Sequence, residues 1–202
     1  MNGRRKAGDR PGAGGMNGRR RARALLAVAA AGASVVPALA PALAPAQVAP
    51  GTEARLGGTF QMNGRVTVER YVRGEHVGEV VQRTWAFTPL CATGPCAQVS
   101  LVRGRATGTD SLILNQTTPG RYAGSGRFFA PLECAGRVYA SGEEVPFTIN
   151  VTVTATTTAA DGTTVASAIN ATYVNKTRLN LTPCVLVLGH DSARYTGALV
   201  PS

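Results

Sequence analysis

The sequence predicts an all-β fold. Apolar and polar side chains alternate along many short segments, turn residues separate these segments at regular spacing, and no window shows the spacing of an amphipathic helix. The chain has 202 residues, of which 44% are hydrophobic and 16% are charged. This composition excludes a charge-rich disordered chain and is typical of one folded domain with a tail.

The alternation is clearest between residues 59 and 73. Phe60, Met62, Val66 and Val68 occupy even positions, whereas the odd positions are mostly polar. Because successive side chains of a strand point to opposite faces, this segment can bury one face and leave the other in water. On a helix the same residues would be spread around the axis.

The same pattern predicts further strands between turn signals such as Pro119-Gly120 and Asp161-Gly162. They lie at residues 77–87, 98–103, 111–116, 121–129, 147–154, 165–173, 178–181, 185–188 and 194–200. Roughly eight to ten short strands in hairpin order are typical of an antiparallel barrel or sandwich. We favour an up-and-down barrel, because closure removes exposed strand edges, with a β-sandwich as the alternative.

Residues 1–46 have the features of a signal peptide. Residues 1–23 contain eight Lys and Arg against one Asp, and residues 24–36 form an uncharged apolar stretch that is short for a membrane span. Small-residue cleavage patterns follow, and we expect cleavage after Ala46. Translation from Met16 would leave a signal of more usual length, and an uncleaved anchor is the alternative. Residues 47–58 are then a linker, and residues 59–202 a single β domain.

Most of the net charge of +10 belongs to this leader, because the rest of the chain has 13 basic and 10 acidic residues. The basic composition is therefore weak support for a nucleic-acid partner, and we expect none. We predict a protein that is exported and released to the cell exterior, without a stable membrane anchor.

All four cysteines follow the leader, and an even number in an exported chain indicates a disulfide framework. Three pairings are possible. We predict Cys91 with Cys96, because a Gly-Pro pair can turn the chain between them, which leaves Cys134 with Cys184. One alternative is a metal site, but Cys-x4-Cys without a nearby His is poor zinc spacing. The other alternative is a redox pair, but four residues separate Cys91 from Cys96, whereas thioredoxin-like sites have two residues between their cysteines.

Candidate catalytic residues are few, and we expect no enzyme activity, no metal and no cofactor. His76 lies in a predicted exposed turn. His190 begins a His-Asp-Ser run in a predicted loop, where consecutive side chains seldom converge as a triad. Glu143 and Glu144 are expected to point apart on a solvated loop. No phosphate-binding glycine loop or dinucleotide fingerprint occurs.

The aromatic residues supply the candidate site. Such residues more often pack in the core, and a ligand cavity is the alternative for this set, which consists of Trp85, Phe87, Tyr122, Phe128, Tyr173 and Tyr195. The sequence thus favours a non-catalytic domain that binds an unknown extracellular partner or has a structural role. A calycin-like barrel carrying a small apolar ligand is the first alternative, and a secreted hydrolase is the second.

A sparse pattern of aromatic residues, glycines and cysteines runs from residue 58 to residue 200. It reads Trp85-x-Phe87-x-Pro89-x-Cys91, Cys96, Tyr122-x-Gly124, Cys134, Cys184 and Tyr195-x-Gly197. The pattern resembles one found in exported, disulfide-containing β-domain proteins of high-GC bacteria. Those proteins have no activity to carry over, so the resemblance implies export and a β fold only.

Overall fold

The computed structural model of the protein describes residues 53–201 except 73 and 107, so the predicted signal peptide and most of the predicted linker lie outside the described residues. The described part contains nine strands and no helix. They are β1 (Gly58–Arg70), β2 (Val80–Pro89), β3 (Gln98–Arg105), β4 (Gly108–Thr118), β5 (Arg121–Cys134), β6 (Arg137–Thr158), β7 (Thr164–Asn175), β8 (Leu179–Asn180) and β9 (His190–Leu199).

Eight of these strands close into an antiparallel barrel. From β1 to β7 each strand pairs with the next, and β9 pairs with both β7 and β1. The short β8 lies outside the barrel and pairs with β6. The predicted up-and-down barrel is therefore confirmed, and the sandwich alternative is excluded.

One end of the barrel, which we call the closed end, is filled by apolar side chains. Ala54 and Leu56 are buried there, although they fall within the predicted linker. Arg55 holds this segment in place by donating hydrogen bonds to the backbone oxygens of Cys91 and Gly94, at 2.7 and 3.2 Å. The core below consists mainly of Phe60, Met62, Phe87, Val99, Leu101, Leu112, Leu114, Tyr122, Ile149, Val151 and Ile169.

The opposite end, which we call the open end, is formed by two long connections and two short hairpin turns. These are residues 71–79 between β1 and β2, the β3–β4 turn, the tip of the β5–β6 hairpin and residues 176–189 between β7 and β9. Among residues 53–201 no helix is long and apolar enough to cross a membrane.

Both predicted disulfides are confirmed, and each crosslinks a different end of the barrel. Cys91–Cys96 closes the β2–β3 connection at the closed end. Cys134–Cys184 joins the end of β5 to the connection between β8 and β9 at the open end.

Two predicted strand segments are wrong. Residues 185–188 were expected to form a strand but lie in the connection between β8 and β9. Since β7 and β9 pair directly with each other, the barrel offers this segment no free edge. Residues 77–79 were expected to open a strand but belong to the β1–β2 connection, where Gly78 has a positive φ of 89° that suits a turn.

Two predicted loops are strands. His190, Asp191 and Ser192 begin β9, because they pair with Arg70, Glu69 and Val68 of β1. The Glu143-Glu144 pair lies within β6, which has 22 residues and is longer than predicted. The β5–β6 hairpin continues beyond the barrel, so this extra length is paired and not solvated loop.

Candidate functional site

A cavity of about 550 Å³ opens at the open end of the barrel. Inward-facing side chains of the barrel strands form its lower wall, and the β1–β2 connection, the outer part of β5 and the β8–β9 connection line its mouth. The volume is in the range of small-molecule binding sites. The cavity is therefore the candidate functional site.

Four of the six predicted aromatic residues line the cavity, and two of these four, Trp85 and Tyr173, also belong to the buried core. Those that line the cavity are Trp85, Phe128, Tyr173 and Tyr195. Phe87 and Tyr122 lie in the buried core of the closed end, where Phe87 packs edge-on against Phe60 at 5.4 Å between ring centres. Phe87 lies one inward position nearer the closed end than Trp85, which explains the different surroundings.

Arg103 lies between the aromatic residues of the cavity and is only 5% exposed. Its guanidinium carbon is 4.0 Å from the ring centre of Phe147, 5.2 Å from that of Tyr173 and 6.0 Å from that of Trp85. Its Nε and Nη2 donate to the two carboxylate oxygens of Asp110, each at 2.8 Å. This bidentate pair and the cation–π contacts fix the orientation of the guanidinium.

Two further arginines give this side of the cavity an excess of positive charge. Arg105 shares the Asp110 carboxylate, with 3.0 Å between its Nε and Oδ2, and lies 4.1 Å from the ring centre of Phe128. Arg83 of β2 also lines the cavity. Arg103 and Arg105 of β3 thus share one carboxylate on β4, and Arg83 of β2 adds a third guanidinium group to the cavity wall.

The opposite side of the cavity has an excess of negative charge around Arg178. Its Nη2 donates to Asp191 Oδ1 at 2.6 Å, its Nη1 lies 3.3 Å from both carboxylate oxygens of Glu143, and its Nε donates to Asn175 at 3.2 Å. Burial alone would lower the pKa of Arg178, but the hydrogen bond and charge of Asp191, together with Glu143, raise it. Arg178 therefore connects β6, β7 and β9 and forms ion pairs with two carboxylates.

Glu75 adds a further carboxylate to the cavity wall from the β1–β2 connection. Burial raises the pKa of Glu75, and the negative charge of Asp191 raises it further. The ionised form of Glu75 is therefore less favourable in the folded protein than in the unfolded chain.

The effect of Glu75 on stability is predicted to depend on pH. Since its folded-state pKa is raised, ionised Glu75 destabilises the protein above that pKa, and the cost disappears as the pH falls below the unfolded-state pKa. Glu75→Gln should therefore raise the free energy of unfolding at pH 7–8, with a difference from the unmodified protein that shrinks toward pH 4. Urea titrations across this pH range measure the difference. A gain that is constant with pH would contradict the assignment.

The two cavity tyrosines stay neutral at physiological pH. Burial raises the pKa of both Tyr173 and Tyr195, and the charge of Asp191 raises that of Tyr173 further. Gly64 makes room for Tyr195, because a Cβ atom at this position would overlap the tyrosine ring. Tyr195 then packs against Trp85 at 5.2 Å between ring centres, so its position is set by close packing.

The His-Asp-Ser run does not form a catalytic triad. Because the three residues are consecutive on β9, Asp191 points into the barrel, where it is buried, while His190 and Ser192 point to the other face. Glu143 and Glu144 also point apart, toward Arg178 and Arg127 respectively. Among the described residues no group of three or more His, Cys, Asp and Glu is arranged to hold a metal ion.

Sequence reasoning missed Arg103, Asp110 and Arg178, and it placed Glu143 and Asp191 in loops instead of in the cavity. Arg103 continues the inward register of Val99 and Leu101, and Asp110 precedes Leu112 and Leu114 in the same register. A charged residue at a position that alternation assigns to the interior was the available signal. Comparisons with models of protein families, with curated proteins and with solved structures found no match for this chain.

Proposed function

We propose that this chain is an exported, non-catalytic binding protein whose barrel holds a small amphipathic molecule. One observation carries the proposal: the cavity of about 550 Å³ combines aromatic walls with charged groups that are already fixed in orientation. Groups that are held in place before binding lose little conformational entropy when a ligand arrives.

The charge arrangement favours an amphipathic ligand over a wholly apolar one. On one side Arg103 and Arg105 share Asp110, and on the other Glu143 and Asp191 share Arg178. Buried charges cost free energy unless they are hydrogen-bonded, so a polar group on the ligand would complete this set of contacts. The rings of Trp85 and its neighbours would bury the apolar part of the molecule.

Binding without catalysis is favoured because the His190-Asp191-Ser192 run points its members to different faces of β9. Export is supported by the two disulfides, which are typical of proteins that fold in an oxidising compartment. Binding without catalysis and export are both expected of a carrier that acts outside the cell.

Cavity binding is tested with 8-anilinonaphthalene-1-sulfonate, an aromatic anion, using energy transfer from Trp85, the only tryptophan in the chain. Ala193 is buried and lines the cavity, so Ala193→Phe should weaken binding at least about tenfold by filling the site. Ala198 lies on the same strand but is exposed, so Ala198→Phe is the matched control and should bind normally. Near-ultraviolet circular dichroism verifies that each variant is folded.

Equal binding by the two phenylalanine variants would contradict a site within the barrel. Ala130→Phe, at a second lining position, provides the same test if Ala193→Phe does not fold. Native mass spectrometry of the exported protein purified from its own culture should also detect a retained small molecule. A chain that carries no small molecule and binds no amphipathic probe would leave only a surface or structural role.

A further inference from the structure

The outer face of the barrel carries two neighbouring rows of side chains that run across β2, β1, β9, β7, β6 and β5. Strand register places one residue of each strand in each row. The first row is Gln82, Asn63, Thr196, Asn170, Thr152 and Arg121. The second row is Val80, Arg65, Arg194, Thr172, Asn150 and Ala123. Ten of these twelve side chains are polar, and none is acidic.

Arg65 and Arg194 lie directly opposite each other in this surface, on the paired strands β1 and β9. Like charges at directly opposed positions of a β-ladder destabilise the pair unless an anion lies between them. Arg65 donates a hydrogen bond from Nη1 to the backbone oxygen of Gly78 at 2.7 Å, which orients its guanidinium group. Both arginines are exposed and can therefore be reached by a ligand.

The rows surround a surface concavity of about 520 Å³, which we call the outer groove. Arg65 and Arg194 line it together with polar residues that include Asn63, Asn150, Asn170 and Thr172. None of these residues is acidic. Two positive charges thus lie among amide and hydroxyl groups that can both donate and accept hydrogen bonds.

We propose that the outer groove binds an acidic polysaccharide. Carboxylates of the polymer would bridge Arg65 and Arg194, since an arginine guanidinium and a carboxylate form strong charge-assisted hydrogen bonds. The Asn and Thr side chains of both rows would bind sugar hydroxyls. The groove crosses the neighbouring strands β1, β9, β7 and β6, which lie about 4.8 Å apart, so it is long enough for a short run of sugar units.

The groove chemistry favours a polysaccharide over a nucleic acid. Single-stranded nucleic acids are bound by outward-facing aromatic rings on which bases stack. The one aromatic residue that lines the outer groove is Tyr195, and its ring packs inward against Trp85. Tyr195 borders both the outer groove and the cavity, whereas Arg65 and Arg194 are exposed on the outer face and do not line the cavity.

The test uses the folded exported chain and oligomeric polygalacturonate in isothermal titration calorimetry at low and physiological salt. Arg65→Gln/Arg194→Gln should weaken binding at least about tenfold. Arg137→Gln/Lys176→Gln makes the same change in net charge at exposed positions outside the outer groove, and it should bind normally. Neutral dextran should not bind, and all variants should stay folded by near-ultraviolet circular dichroism and keep their cavity binding of the anilinonaphthalene probe.

Three results would overturn the proposal. The first is that the unmodified chain does not bind polygalacturonate. The second is an equal loss of affinity in the two double variants, which would mean that only net charge matters. The third is equally tight binding of a DNA oligomer of the same charge. Because cavity binding is measured separately with the fluorescent probe, none of these results bears on the proposed carrier function.

Discussion

Arg178→Met is expected to lower the free energy of unfolding by about 3–5 kcal/mol, because it leaves two buried carboxylates without their partner. Side-chain exposure is only 10% for Arg178, 8% for Glu143 and 10% for Asp191. The arginine also joins β6 and β9 through its two nitrogens, so its loss uncouples strands as well as charges. Urea unfolding followed by circular dichroism measures the change.

A neighbouring ion pair provides the control for Arg178. Glu144 pairs with Arg127, whose side chain is 69% exposed. Arg127→Met should therefore cost no more than about 1 kcal/mol. A triple variant, Arg178→Met with Glu143→Gln and Asp191→Asn, removes the uncompensated charges and should recover much of the stability. If Arg178→Met costs no more than Arg127→Met, the buried network does not stabilise the open end as argued.

Removing the Cys134–Cys184 disulfide is expected to cost more than removing Cys91–Cys96. The two bridges join residues separated by 50 and 5 positions respectively. On the chain-entropy model these loops contribute up to about 4 and about 2 kcal/mol. In the unfolded chain, the longer bridge closes a loop that contains the residues of β6, β7 and most of the connection to β9. The shorter bridge closes only the loop between β2 and β3.

The comparison uses Cys134→Ala/Cys184→Ala and Cys91→Ala/Cys96→Ala, each measured by urea unfolding. Cys96 is buried in the apolar core, so part of the loss in the second variant reflects packing. Peptide mapping without reduction verifies that the remaining bridge is intact in each variant. A greater loss for the 91–96 variant would show that core packing at the closed end outweighs the entropy of the longer loop.

The strand pattern could be predicted because it depends on local alternation. In β1, Phe60, Met62 and Val66 are buried, as their even positions required. The pairing of neighbouring strands followed from short turns, the Cys91–Cys96 bridge followed from the Gly-Pro turn between its cysteines, and the second bridge joins the two cysteines that remain. These features need no knowledge of which distant residues meet.

The charged half of the cavity could not be predicted in the same way. Arg178 is 35 positions from Glu143 and 13 positions from Asp191, so the network forms only when β6 and β9 are placed by the closed barrel. The failed prediction for residues 185–188 has the same origin. Their apolar residues suit a strand, but Val185 and Val187 are exposed because the neighbouring edges are already paired.

The pairing of Phe60 with Leu199 also determines how the molecule can be handled. The first barrel strand starts and the last barrel strand finishes at the closed end, on the side away from the cavity mouth. A dye or affinity handle attached after Leu199 would therefore leave the mouth unobstructed. Protein immobilised on a sensor chip through such a handle would present its binding site to the flowing solution.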